Sequence, residues 1–180
     1  MKVYLSKYLL ITLFIILTIN AYPQNRKTIN YTEVGALIHS SNSLGSNFDF
    51  NGFRTRTSIS RIIQDHIGLG IAFGTDNYRR SDGGNYNTLP ITVNGSYFFN
   101  SDFSGFKADV YGGYAVKIFN NLNRGLTAGA GLAYSIPVNK GLNLGLQTGY
   151  NYQEIDFPST FVENSFNIGS FRLGLGITFK

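Results

Sequence analysis

The last stretch of the chain, Ser170–Lys180 (SFRLGLGITFK), alternates between two kinds of side chain. Its odd-numbered positions, from Phe171 to Phe179, are all large and apolar, whereas its even-numbered positions are small or polar and include Arg172. A repeat of two residues places alternate side chains on opposite faces of a β-strand. The stretch therefore predicts a strand between two different environments, and the fold depends on which environment each face meets.

The same alternation recurs along the rest of the chain, and no helical period of useful length interrupts it. We predict eight strands, over 29–40, 49–62, 66–78, 88–99, 106–118, 125–136, 141–154 and 168–179. The segments between them alternate between short turns and longer stretches rich in Ser, Asn and Gly. Short turns at one end and longer loops at the other are typical of transmembrane β-barrels.

The composition indicates an all-β chain with little hydrated surface. The 180 residues include 21 Gly, 15 Phe and 12 Tyr, and only 14% are charged, whereas ordinary soluble domains carry about 25% charged residues. The length suits a single domain with its own core. The absence of Cys excludes disulfides, thiol chemistry and a lipid-anchored N-terminal Cys.

The N-terminus has the parts of a secretory signal. Lys2 and Lys7 precede an apolar run over 8–19, and the small residue Ala21 follows it. The run is shorter than the ~20 residues that a membrane-spanning helix needs. We therefore expect a cleaved signal peptide over 1–21 and a mature domain over 22–180.

The direction in which the two strand faces point follows from crowding and charge. The interior of an eight-stranded barrel is only just wide enough for ordinary side chains to fill it, so it cannot hold all the bulky residues. A soluble barrel would also have an outer surface almost without charge, which soluble proteins avoid. We therefore predict an eight-stranded antiparallel up-and-down transmembrane β-barrel, with its apolar face toward lipid and Tyr or Phe girdles at the strand ends.

Several segments carry a resemblance to a known family. They are the leader end NAYPQN (20–25) and the strand segments GLGIAFGTDNY (68–78), LPITVNGSYFF (89–99), YGGYAV (111–116), GAGLAYSI (129–136) and FRLGLGITF (171–179). The chain resembles small outer-membrane β-barrel proteins, particularly the outer membrane protein beta-barrel domain type common in Bacteroidota. The resemblance covers essentially the whole mature chain and implies the fold and the outer-membrane location. Most members of this family have no assigned biochemical activity.

The resemblance also implies a partner for the closing strand, which the barrel-assembly machinery of the outer membrane recognises in such proteins. In many of them the recognised strand ends in an aromatic residue. Here Lys180 follows the aromatic Phe179.

The inward face carries the charged side chains of the strands. Alternation places seven of them inside the barrel: Glu33, Arg54, Arg56, Lys107, Asp109, Lys117 and Arg172. Asp76 and either Gln153 or Glu154 are further candidates. Because an unpaired buried charge costs several kcal/mol, we expect a lumen charge network that fills the interior as structural packing. An ion path or proton relay is the alternative for the same residues.

No motif predicts a catalytic, cofactor-binding or metal site. His39 and His66 fall near opposite ends of different strands and cannot share a metal ion. The stretch NFDFNG (47–52) begins like a calcium loop, but its twelfth position is Ser58 instead of Glu. Basic residues do not alternate with aromatic ones in a nucleic-acid-binding stripe.

We therefore expect an integral outer-membrane barrel with a plugged lumen that is monomeric, is not an enzyme and needs no cofactor. Its partners would be outer-membrane lipid and the barrel-assembly machinery, and its role would be structural or would depend on interactions of its extracellular loops. Both mature termini would be periplasmic, because the short turns lie at that side. The alternative is a narrow transport route or a carrier for small hydrophobic ligands that leave sideways through the wall.

Overall fold

A computed structural model describes residues 28–45, 48–156 and 165–180, so the predicted signal peptide lies outside the described residues. The strands are β1 (Thr28–Asn42), β2 (Phe50–Gln64), β3 (Ile67–Arg80), β4 (Asn85–Thr88), β5 (Pro90–Phe98), β6 (Gly105–Ala115), β7 (Leu122–Asn123), β8 (Gly125–Asn139), β9 (Leu142–Asp156) and β10 (Ser165–Phe179). Within these ranges, no helix is long and apolar enough to cross a membrane.

The strand segments form one closed barrel of eight strands, as the sequence predicts. β1 pairs with β10 on one side and with β2 on the other, and β2 also pairs with β3, so the sheet is closed with the first and last strands side by side. Two of the eight barrel strands are each interrupted at one residue, by Leu89 between β4 and β5 and by Arg124 between β7 and β8. Neighbours in the barrel run antiparallel, apart from a short parallel contact between β4 and β7.

The two ends of the barrel differ in their connections. Short turns over 65–66, 99–104 and 140–141 lie at one end, which we call the turn end. The connections over 43–49, 81–84 and 116–121 lie at the other, which we call the loop end. β1 starts at the turn end and β10 finishes there, so the first and last described residues lie at that end.

The connection between β3 and β4 is shorter than the sequence predicts. The residues over 79–87 were expected to form a long loop, but β3 continues to Arg80 and β4 begins at Asn85. A turn closes the hairpin, with Gly83 at φ 102° and the Arg80 amide donating to the Gly84 carbonyl at 2.7 Å. The Arg80 guanidinium donates a hydrogen bond to the Asp82 carboxylate in this turn, and this bond lowers the pKa of the carboxylate.

The outer surface of the barrel is apolar, which confirms the predicted direction of the two faces. Val93, Leu146 and Val110 expose 65%, 62% and 60% of their surface. At the turn end, the outward rings Tyr97, Phe99, Phe106 and Tyr134 form a continuous row, with successive centroids 5.2, 6.4 and 4.9 Å apart. Such a surface, with an aromatic row at its edge, is what lipid-facing barrels present.

Glycines make room inside the barrel for large side chains on facing strands. A Cβ atom at Gly129 would lie 2.4 Å from the Tyr111 hydroxyl and 2.6 Å from the Tyr150 carbonyl oxygen. A Cβ atom at Gly176 would lie 2.3 Å from the Tyr31 hydroxyl. These inward glycines therefore give the two tyrosines the volume that they occupy.

We predict that Gly129→Ala lowers the free energy of unfolding by about 1–3 kcal/mol, because overpacking forces side chains and backbone to shift. The control is Gly112→Ala on the neighbouring strand, where an added Cβ atom would meet nothing within 4 Å. Urea unfolding of the barrel in lipid vesicles measures both variants. Equal stability of the two variants would contradict this account of the interior.

Candidate functional site: the charged interior of the barrel

Charged side chains from five strands meet in the middle of the barrel interior. They comprise six of the seven predicted network residues and Asp76, and we call this set the central charge layer: Glu33, Arg54, Arg56, Asp76, Lys107, Asp109 and Arg172. Alternation along each strand positions them, because inward residues two apart share the same face. Of the two other candidates, Gln153 is fully buried, whereas Glu154 is half-buried.

Arg54 and Asp76 form the best-ordered ion pair of the layer. They lie directly opposite each other on β2 and β3, and two guanidinium nitrogens donate to the two carboxylate oxygens at 2.7 and 2.6 Å. Both side chains are 1% exposed. Arg54 also donates to the Tyr111 hydroxyl and to the Asn151 side-chain oxygen, each at 2.7 Å. A bidentate, charge-assisted pair of this kind is both strong and directional.

Glu33 lies between two arginines. Its Oε1 atom is 3.8 Å from Nη1 of Arg54 and 3.7 Å from Nη1 of Arg172, and Gln147 donates a hydrogen bond to its Oε2 atom. Arg172 in turn donates to Oδ2 of Asp109 at 3.1 Å. The three carboxylates of the layer are therefore linked through only two of its four cations.

The other two cations of the layer lie against aromatic rings. The guanidinium carbon of Arg56 is 3.7 Å from the Tyr111 ring centroid, and this arginine also donates to the Thr92 hydroxyl at 2.5 Å. The Lys107 ammonium is 3.5 Å from the Tyr31 ring centroid. Neither forms a salt bridge with a carboxylate in the described part of the chain. Cation–π contact attracts a cation without neutralising its charge.

Apolar clusters occupy the interior on both sides of the central charge layer. The loop-end cluster consists of Leu37, Phe50, Tyr78, Ile155, Phe166 and Ile168. The turn-end cluster consists of Ile29, Ile62, Phe98 and Phe103. Phe103 belongs to the turn over 99–104 and folds back into the barrel, where Asn143 donates to its carbonyl oxygen at 2.7 Å. The charges therefore lie between two apolar layers.

The predicted position of Lys117 is wrong. β6 ends at Ala115, and the β4 and β7 segments pair with each other beyond its end, through Asn87↔Leu122 and Thr88↔Asn123. Lys117 therefore lies in the connection that follows β6, where it is exposed and away from the central charge layer. The predicted strand over 106–118 extends past the end of β6, so the alternation does not apply at Lys117.

Two tyrosines belong to the site although the sequence analysis did not assign them to it. Tyr31 and Tyr111 point inward and contact the cations of the central charge layer through their ring faces. The signal for Tyr111 was present, since it has the same parity on β6 as Lys107 and Asp109. Tyrosines had instead been associated with the lipid interface.

The two histidines lie far from the central charge layer. The Nδ1 atom of His39 lies 3.0 Å from an Asp49 carboxylate oxygen near the loop end, whereas a His66 ring nitrogen lies 2.7 Å from the Phe98 carbonyl oxygen at the turn end. Among the described residues, no group of three or more His, Cys, Asp or Glu side chains could hold a metal ion.

Comparison with known proteins finds similarity in solved structures. No family model matches the chain, and no curated protein matches it. Neisserial surface protein A is 21% identical over 85% of this chain and 96% of that chain, with a TM-score of 0.47. The outer membrane protein OprG from Pseudomonas aeruginosa is 12% identical over 84% and 95%, with a TM-score of 0.49.

A third solved structure is that of Ail, the attachment invasion locus protein of Yersinia pestis, in complex with the heparin analogue sucrose octasulfate. It is 15% identical over 84% of this chain and 97% of that chain, with a TM-score of 0.43. At such low identities, the function of this chain must be argued from its own residues.

We predict that Arg54→Ser lowers the free energy of unfolding by about 3–5 kcal/mol, because Asp76 and Glu33 would keep buried charges without this partner. The matched control is Arg124→Ser. Arg124 pairs with Asp156 at 3.4 Å on the surface, where its side chain is 58% exposed, and such pairs contribute about 0–1 kcal/mol. Urea unfolding in vesicles compares the two, and equal losses would contradict the structural role of the central charge layer.

Proposed function

We propose that the protein is an integral outer-membrane barrel whose lumen is plugged and which acts through its extracellular loops. The observation that carries this proposal is the sequence of layers inside the barrel. Two apolar clusters enclose the central charge layer, and the large side chains of these layers fill an interior that eight strands make only just wide enough for them. We therefore expect no aqueous path along the axis of a barrel that is filled in this way.

The loop end has the surface that an interaction role needs. In the connection between β6 and β7, Ile118 and Phe119 expose 40% and 55% of their surface, and Lys117 beside them is exposed. The pairing of β4 with β7 supports this placement, because it leaves the residues over 116–121 outside the barrel wall. Apolar and basic side chains together suit contact with a partner or with anionic lipid headgroups.

The remaining parts of the proposal concern partners and placement. We propose that the loop end faces outward and both mature termini face the periplasm, because outer-membrane barrels place their short turns on that side. The protein is monomeric, is not an enzyme and has lipid as its principal contact. The barrel-assembly machinery recognises β10. The Bacteroidota-type family assignment stays a prediction from the sequence.

Thiol labelling in intact cells tests the orientation, since the chain has no native Cys. Ser81→Cys lies in the exposed β3–β4 turn at the loop end, and Lys140→Cys lies in the exposed β8–β9 turn at the turn end. We expect a membrane-impermeant maleimide to label position 81 in intact cells and position 140 only after the outer membrane is broken. The reverse pattern would overturn the orientation.

Conductance tests the plugged lumen. Purified protein reconstituted in planar bilayers should give a steady conductance close to that of the bare bilayer, because the layers leave no continuous aqueous path. Vesicle swelling with small sugars measures the same property without an applied voltage. Stable, large-conductance channels that pass sugars would replace the plugged lumen with a transport route.

A further inference from the structure

The barrel wall has an interruption where β3 faces the junction of β4 and β5. β3 pairs with β5 as far as Phe73↔Ile91 and with β4 from Asp76↔Thr88, and the residues between these pairs form no ladder. The register is the same on both sides, so the interruption is not a bulge. Pro90 explains it, because proline has no N–H to donate to the neighbouring strand.

A narrow crevice lies at this interruption, and in this structure it has no room for a water molecule. Its lining combines members of the central charge layer with the wall itself, and it includes Thr55, Arg56, Gly74, Asp76, Pro90 and Tyr111. Thr55 lies on the outward face of β2, whereas Arg56 lies on its inward face. The crevice therefore lies within the wall at the height of the charges.

Arg56 is the cation in this crevice without an acidic partner. Arg54, which also lines the crevice, forms its bidentate pair with Asp76. Arg56 instead contacts the Thr92 hydroxyl and the Tyr111 ring. The central charge layer has four cations and three carboxylates, so one further negative charge would balance it. An unbalanced buried charge is costly, and an anion at Arg56 removes that cost.

The lipid side of the interruption is polar, in contrast to the apolar surface around it. The Thr55 and Thr75 hydroxyl oxygens are 3.0 Å apart, and the Asn77 amide donates to the Thr75 hydroxyl at 3.4 Å. These groups share the outward parity of their strands and lie next to the missing rungs. A polar headgroup that approaches from the membrane would find hydrogen-bonding groups here instead of hydrocarbon alone.

We propose that Arg56 binds the carboxylate of a membrane-dissolved amphiphile of the fatty-acid class, which reaches it through the wall between β3 and β5. The two apolar clusters cover the central charge layer toward both ends of the barrel, which favours an approach through the wall. The carboxylate neutralises Arg56, and the alkyl tail stays against the outward side chains of Phe73 and Ile91. Because the crevice is narrow, binding separates β3 from β5 at the unpaired residues. This site rests on the proposed membrane location but is independent of the proposed role of the outer loops.

Titration of the whole protein in nanodiscs with laurate tests the site. We expect saturable binding of one laurate per barrel, weakened about tenfold in Arg56→Gln by loss of the charged partner. The matched control is Arg61→Gln, which removes an exposed arginine from the same strand and should leave binding unchanged. Dodecanol, which has the tail without the charge, should not compete. Acetate, which has the charge without the tail, should not compete either.

Each other outcome overturns part or all of the proposal. Equal binding by Arg56→Gln, or equal binding of dodecanol, would mean simple partition into lipid and no site. Competition by acetate would mean a small-anion site filled from water and not through the wall. If Arg56→Gln does not fold, a photoactivatable fatty acid on the wild-type protein decides, because it should label peptides around Phe73–Thr75 and Leu89–Ile91. Labelling spread over all strands would overturn the site.

Pro90→Ala gives a separate test of the route. It restores a backbone donor at the interruption and should allow β3 and β5 to pair without a gap, so laurate should bind more slowly. An unchanged association rate, with binding still dependent on Arg56, would overturn the passage through this part of the wall.

Discussion

The position of Glu33 between Arg54 and Arg172 is the interaction on which the barrel interior depends. Glu33 lies on β1, and its two arginines lie on β2 and β10, the two strands that flank β1 where the first and last strands of the barrel meet. A charge in the closed interior of a barrel has little water to solvate it, so its protein partners must compensate it. The ionic contacts therefore join the strands on either side of the closure of the sheet.

This arrangement also explains the uneven distribution of side-chain size around the interior. Arg172 needs space that β8 and β9 supply, since Cβ atoms at Gly131 and Gly149 would lie 2.2 and 2.9 Å from its Nη2 atom. Tyr111, which accepts a hydrogen bond from Arg54, needs the space at Gly129 in the same way. These inward glycines are therefore a packing requirement of large polar side chains.

The period of two predicted the strands and their faces because local alternation and the lipid environment determine them. It failed at Lys117, because the end of β6 depends on the pairing of β4 with β7, two segments on either side of β6 in the chain that meet beyond its end. The turn-end cluster could not be predicted, since Phe103 comes from a turn that folds inward. The interruption before Pro90 had a signal, because proline rarely occurs inside a paired strand. The aromatic partner of Arg56 depends on contacts across the barrel and had no local signal.

The interior and the wall are stabilised in different ways, and this difference decides where the barrel can open. Along the axis, opening would separate ion pairs and two apolar clusters together, which exposes buried charges and is costly. Between β3 and β5, the backbone ladder is already incomplete. Two side-chain hydrogen bonds lie beside the interruption. The Thr88 hydroxyl donates to the Asp76 carbonyl at 3.3 Å, and the Thr92 hydroxyl donates to the Ala72 carbonyl at 3.5 Å. Side-chain hydrogen bonds of this length are weak. A local separation of β3 from β5 at this point therefore breaks weaker contacts than opening along the axis does.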